Sequence, residues 1–78
     1  MPTNVSVPPL GEGLNEVTID EWLKRPGDQV TKGEPLVEIS TSKATMCLYV
    51  PVDGYLAAVV AEVGETVEVG ALVAVIDT

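Results

Sequence analysis

Pro26-Gly27-Asp28-Gln29-Val30-Thr31-Lys32-Gly33 is met again, 37 residues on, as Val63-Gly64-Glu65-Thr66-Val67-Glu68-Val69-Gly70. Gly27 aligns with Gly64, Asp28 with Glu65, Val30 with Val67 and Gly33 with Gly70. The match continues without a gap to Leu36/Val73 and Ile39/Ile76, and back to Ile19/Leu56. Gly-acid dipeptides recur by chance in β-rich chains, but a gap-free run of six or more matched positions points to an internal repeat. The glycines have a physical task in it, because turns this tight need a positive φ or a missing Cβ. Two halves of four strands each, related by a pseudo-twofold axis, would bury one shared core.

Outward from the repeat, the chain reads as short strands between turns. Thr3 to Val7 alternates polar and apolar, with Val5 and Val7 on one face, and Pro8-Pro9 ends it. Leu10 to Glu16, with Gly11 and Gly13, is a loop. Val17 to Leu23 turns Val17, Ile19 and Trp22 inward, while the adjacent pair Asp20-Glu21 marks a solvent side or a bulge. Gln29-Val30 is a very short strand, and Leu36 to Ser40 is the next. The chain returns with Ala44, Met46, Leu48 and Val50 on one face and Thr45, Cys47 and Tyr49 on the other. Tyr55 to Ala61, Thr66-Val67 and Leu72 to Ile76 complete the set. Nowhere do apolar residues recur at helical spacing between proper caps. Roughly eight short strands predict an all-β sandwich or barrel.

Composition agrees. The 78 residues make one small domain, 1–78, 46% apolar but without Phe, so Val, Leu, Ile and Ala must fill the core. One cysteine and no histidine leave no internal disulfide and no zinc site as a staple. A net charge of −8 disfavours nucleic acid and anionic membranes as partners, since phosphates are bound by clustered Lys and Arg. No run is long enough to span a bilayer, and Met1-Pro2-Thr3-Asn4-Val5 lacks the regions of a signal peptide. A lone cysteine suits a reducing compartment, so the cytoplasm is expected, or the mitochondrial matrix after removal of a transit peptide.

Between the two halves lies Ile39-Ser40-Thr41-Ser42-Lys43-Ala44-Thr45-Met46, with the only lysine after Gly33. Lys43 falls at a hairpin tip between two apolar strands, and its small neighbours Ser42 and Ala44 leave the ε-amine open to another protein's active site. Two readings fit: an amine presented for covalent modification, or an ordinary turn lysine that keeps an edge soluble. Lys24, Arg25 and Lys32 are most simply solvated charges. Catalysis has little to work with. Without histidine no Ser/His or Cys/His arrangement can be built. Cys47 lies mid-strand with no basic neighbour. Asp20 and Glu21, adjacent in a strand, point to opposite faces. The domain is expected to be non-catalytic by itself.

Several motifs, in order, carry a resemblance over nearly the whole chain. Pro8-Pro9-Leu10-Gly11-Glu12-Gly13-Leu14 is followed by Ile19 and Trp22-Leu23, then by Gly27-Asp28 with Val30 and Gly33. Ser42-Lys43-Ala44-Thr45-Met46 comes next, then Pro51 with Gly54, and Val63-Gly64-Glu65 with Val67 and Gly70. Each is weak alone, but their order and spacing resemble the lipoyl domain of the acyltransferase component of a 2-oxo acid dehydrogenase complex. The resemblance implies a flattened β-barrel or sandwich of two four-stranded antiparallel sheets with a pseudo-twofold axis. It implies (R)-lipoate joined to Lys43 as an amide by a lipoate-attaching enzyme. The arm would carry acyl groups from a thiamine-diphosphate-dependent decarboxylase to the acyltransferase core and coenzyme A, and a dihydrolipoamide dehydrogenase would reoxidise it. It further implies recognition roles for Glu12 and Leu14 in the loop and for Ser42 and Ala44 beside the lysine. The chain would then be the N-terminal part of a longer acyltransferase.

One departure stands out. The usual run in that family is Glu-[Thr/Ser]-Asp-Lys-Ala, and here both acidic positions are serine, Ser40 and Ser42. The change weakens the negative charge around Lys43. It keeps open an unmodified lipoyl-like binding module as an alternative. A biotin carboxyl carrier domain shares the fold but carries Ala-Met-Lys-Met, which Ser42 and Ala44 do not match.

Overall fold

The computed structural model describes residues 2–11 and 13–78, and every regular element among them is a strand. The strands are β1 (Pro2–Ser6), β2 (Glu16–Trp22), β3 (Gln29–Val30) and β4 (Pro35–Ser40), then β5 (Thr45–Tyr49), β6 (Gly54–Val59), β7 (Thr66–Glu68) and β8 (Leu72–Asp77). All pairings are antiparallel and fall into two sheets, ordered β1-β8-β6-β3 and β5-β4-β2-β7. No strand pairs across from one sheet to the other among the described residues, so the fold is a two-sheet sandwich and not a closed barrel. It is elongated, 33 × 20 × 18 Å.

Exchanging β1 with β5, β2 with β6, β3 with β7 and β4 with β8 turns one sheet order into the other. The backbone bonds obey the same exchange. Gly27 N–H donates to Leu56 O at 2.7 Å, and Gly64 N–H donates to Ile19 O at 2.8 Å. Gly33 N–H reaches Val50 O, and Gly70 N–H reaches Val7 O. Even the irregularities repeat. The β2–β4 register slips between Ile19 and Glu21, and the β6–β8 register slips between Leu56 and Ala58. Gly27 and Gly64, at φ 96° and 91°, hold the matching turns in a conformation that costs a side-chain-bearing residue energy. In each, the acid one residue on accepts from a backbone N–H three residues before it: Asp28 from Arg25 and Glu65 from Glu62. The aligned Gly-acid pairs of the sequence are therefore one turn used twice.

The core lies between the sheets. Val17, Ile19, Val30, Leu36, Val37 and Ile39 from the first half meet Leu48, Leu56, Val73, Ala74 and Ile76 from the second, all buried. The buried set holds no polar side chain among the described residues. Each fully buried Leu or Ile contributes about 1.5–3 kcal/mol by leaving water, and the repeat doubles the supply. Gly54 has a packing reason of its own: a Cβ there would lie 2.3 Å from the carbonyl oxygen of Asp77.

The expected strands all form, with shifted ends. Tyr55 to Ala61 stops as a strand at Val59, because the chain turns there and Val60 and Ala61 N–H both donate to Val73 O. Ala61 stays buried and accepts a 2.8 Å hydrogen bond from Trp22 Nε1, which fixes the inward-turned indole. Asp20 and Glu21 do form a bulge. Asp20 is the extra residue, so both side chains face solvent in succession. Adjacent acids that would alternate on a regular strand thus share one face.

Candidate functional site

The β4–β5 hairpin carries Lys43. Its last strand pair is Ser40 with Thr45, leaving Thr41-Ser42-Lys43-Ala44 as the turn. No residue other than glycine has a positive φ among the described residues, so Ser42 and Lys43 do not form the I′ or II′ turns that short hairpins favour. A side chain holds the turn instead. Thr41 Oγ1 accepts from Lys43 N–H at 3.2 Å and from Ala44 N–H at 3.1 Å, and donates to Ala44 O at 3.1 Å. Thr41 N–H also donates to Ala44 O, at 2.8 Å. Ser42, Lys43 and Ala44 are all exposed. No described carboxylate pairs with Lys43, whereas Lys24 is half-buried and lies 3.4 Å from Glu34 Oε2.

The loop before β2 sits beside this tip. Gly13, Leu14, Asn15 and Glu16 line an open groove of about 640 Å³ together with Ser40, Thr41, Ser42, Thr18 and Thr66. Leu14 is half-buried in it, and Val69 N–H ties the loop down through Asn15 O at 2.9 Å. Leu14 and Ser42 thus meet in one surface. Ala44 lies on the other flank of the turn and does not line the groove. Glu12 lies outside the described residues.

The outer face of β2 and β4 is acidic. Ser40 Oγ donates to Asp20 Oδ1 at 3.0 Å, so a carboxylate from the β2 bulge reaches the base of the hairpin. Glu21 stands directly opposite Glu38. A hydrogen bond with Glu21, burial, and the charges of Glu21 and Asp20 raise the Glu38 carboxyl above its ordinary 4.5. In the turn between β3 and β4 the reverse holds: Thr31 N–H, at 2.6 Å, holds Glu34 below that value, burial opposes it, and Lys24 adds a further lowering. No group of three or more metal-ligating side chains occurs among the described residues. Cys47 faces outward on β5, half-buried opposite Glu38.

Thr41 and Asp20 belong to the candidate site by their hydrogen bonds and were passed over by sequence reasoning. Thr41 had a local signal, since a hydroxyl at the first turn position bonds to N–H groups two and three residues on. Asp20 had none, because its contact with Ser40 depends on the β2–β4 register.

Comparison with known proteins agrees with this geometry. The biotin/lipoyl family model, described as biotin-requiring enzyme, matches residues 3–76. The chain is 43% identical over 77 residues to the dihydrolipoyllysine-residue succinyltransferase component of the 2-oxoglutarate dehydrogenase complex of Bartonella vinsonii, covering 99% of this chain and 19% of that protein. It is 45% identical over 72 residues to the acetyltransferase component of the pyruvate dehydrogenase complex of Corynebacterium glutamicum, covering 92% of this chain and 11% of that one. The chain therefore spans less than a fifth of these relatives. Among solved structures, the lipoyl domain of the 2-oxoglutarate dehydrogenase complex from Azotobacter vinelandii superposes with a TM-score of 0.78. It is 31% identical, and the match covers 96% of this chain and 95% of that one. The two-sheet sandwich, the lysine hairpin and these matches together show that the chain belongs to the biotin/lipoyl family, as a lipoyl domain.

Proposed function

We propose that Lys43 is the attachment point for lipoate, joined as an amide to its ε-amine, and that the domain carries acyl groups within a 2-oxo acid dehydrogenase complex. The observation that carries this reading is the exposure of Lys43 at a turn tip with small, exposed neighbours. An attaching enzyme must reach the amine with its own active site, and Ser42 and Ala44 leave that approach open. Lys24 is less suited, being half-buried against Glu34, and Lys32, though exposed, lies in the short β3–β4 connection and not at the tip of a hairpin between paired strands. When attached, lipoate supplies a disulfide that can accept an acyl group with its own reduction and be reoxidised afterwards. The protein presents the arm at one end of a rigid sandwich and offers the Leu14–Ser42 groove beside it for recognition. Tethering makes each encounter effectively intramolecular.

The partners that follow are a lipoate-attaching enzyme, a thiamine-diphosphate-dependent decarboxylase, an acyltransferase core and a dihydrolipoamide dehydrogenase. The relatives' membership of such complexes, and the small share of their length that this chain spans, support its place as one domain of a longer acyltransferase. The test is transfer of label. After lipoylation, the decarboxylase and an isotopically labelled 2-oxo acid should place label on the native domain and none on Lys43→Arg. Label on the Lys43→Arg protein, or none on the lipoylated native domain, would overturn the reading.

A further inference from the structure

Two kinds of turn in this domain contrast. The repeated turns use a positive-φ glycine and a carboxylate that accepts from the backbone, as at Gly27-Asp28 and Gly64-Glu65. Among the described residues, the lysine turn has neither. Both its central residues lie at negative φ, and one hydroxyl, Thr41 Oγ1, takes the N–H of Lys43 and of Ala44 while donating to Ala44 O. The group meeting the lysine's own amide is therefore a side chain, and it can be removed without altering the strands on either side.

We propose that Thr41 is a positioning residue for modification of Lys43: its hydroxyl keeps the turn in the one conformation in which an attaching enzyme takes the lysine. The inference rests on the reading of Lys43 as the attachment point. In the transfer, the lysine amine forms a C–N bond to the carbonyl carbon of an activated acyl donor such as an acyl phosphate anhydride. The bond from that carbon to the leaving group breaks, and the leaving group departs with the electron pair. The ammonium gives up two protons in becoming an amide, and nothing is oxidised or reduced. The reacting atoms must be held in near-attack geometry. The enzyme can grip the turn only if the Lys43 backbone has a defined place. Without the hydroxyl the two N–H groups turn to water and the turn samples several forms. A substrate that is competent for a fraction of the time binds more weakly by that fraction, while the bound form reacts as before.

The experiment compares native, Thr41→Val, Thr41→Ser and Lys43→Arg domains with a lipoate ligase, lipoate and ATP, following intact mass. Thr41→Val keeps the branched shape and loses the hydroxyl, and Thr41→Ser keeps the hydroxyl. The expected result for Thr41→Val is a KM for the domain raised about tenfold, as for a competent fraction of about one-tenth. Its kcat should stay at the native value, its melting temperature should fall by only a few degrees so that it stays folded in the assay, and the amide protons of Lys43 and Ala44 should exchange faster. Thr41→Ser should restore the native KM. An unchanged KM in Thr41→Val, or an equal defect in Thr41→Ser, overturns the role of Thr41 and leaves Lys43 as the attachment point. No mass gain in the native domain, or a gain that survives Lys43→Arg, overturns the attachment reading and the role of Thr41 with it.

Discussion

The two sheets share a register but not an outer face. Around the β2 bulge of the lysine-bearing sheet stand Asp20, Glu21 and Glu38. At the equivalent places in the other sheet stand Ala57, Ala58 and Val75. The inner faces, by contrast, match in kind: Ile19 with Leu56, Leu36 with Val73, Ile39 with Ile76, all buried. The ends differ as well. Where one sheet closes on the lysine turn beyond the Ser40–Thr45 pair, the other brings together Pro2 and Asp77 near the termini. Repetition built the core and its turns. The exposed lysine turn and the acidic face lie where the repeat is broken.

The core is where the comparison predicts the largest and most equal effects. Ile39→Ala and Ile76→Ala each empty a fully buried site and should each cost about 2–5 kcal/mol. Denaturant titration should place the two within error of one another. A clearly smaller cost in one half would show that the halves do not share the core evenly. Trp22→Phe comes next. It removes the Nε1 bond to Ala61 O, a contact that Val59 at the equivalent position cannot make, and should cost about 1 kcal/mol. No loss on thermal or denaturant unfolding would mean that the indole acts through packing alone.

Ser40→Glu is expected to have a smaller effect. It places a carboxylate beside Asp20 and should destabilise by about 0.2–1 kcal/mol, with Asp20→Asn in the same chain relieving the loss. Equal cost with and without Asp20 would show that position 40 does not act through the Asp20 carboxylate. The smallest effect is a pH dependence carried by the same face. The Glu38 carboxyl is raised, so its contribution is fully present below the ordinary 4.5 and is lost as pH rises through its folded value. Glu21→Gln removes both the hydrogen bond and the charge that raise Glu38, so it should flatten this dependence: the melting temperature should rise at pH 7 relative to its value well below pH 4.5. Glu34, held low by Thr31 N–H and Lys24, works in the opposite sense: its contribution is present above 4.5 and fades as pH falls.

Much of this architecture was legible in the sequence. The Gly-acid repeat named the paired turns, period-two alternation named the strand faces, and the position of Lys43 between the halves named the tip. The paired acids Asp20 and Glu21 left a solvent side or a bulge open, and the expectation that they face opposite ways failed because the bulge turns both outward. The register contacts were not legible, because they join residues far apart in the chain. Asp20 meets Ser40 only because β2 and β4 pair in the register that sets Thr18 opposite Ser40. Trp22 meets Ala61 only because the sheets pack face to face. The ends of β6 were misjudged for a similar reason. Alanine and valine continue the apolar run past Val59, but Val60 and Ala61 both give their N–H groups to Val73 O, where the strand has already turned away.

The most direct test of the central claim is peptide mapping of the domain after expression with lipoate and a lipoate ligase. One lipoyl group per chain is expected, on the peptide that contains Lys43, and none in Lys43→Arg. A lipoyl group on Lys24 or Lys32, or an unmodified Lys43 in the native domain, would contradict it.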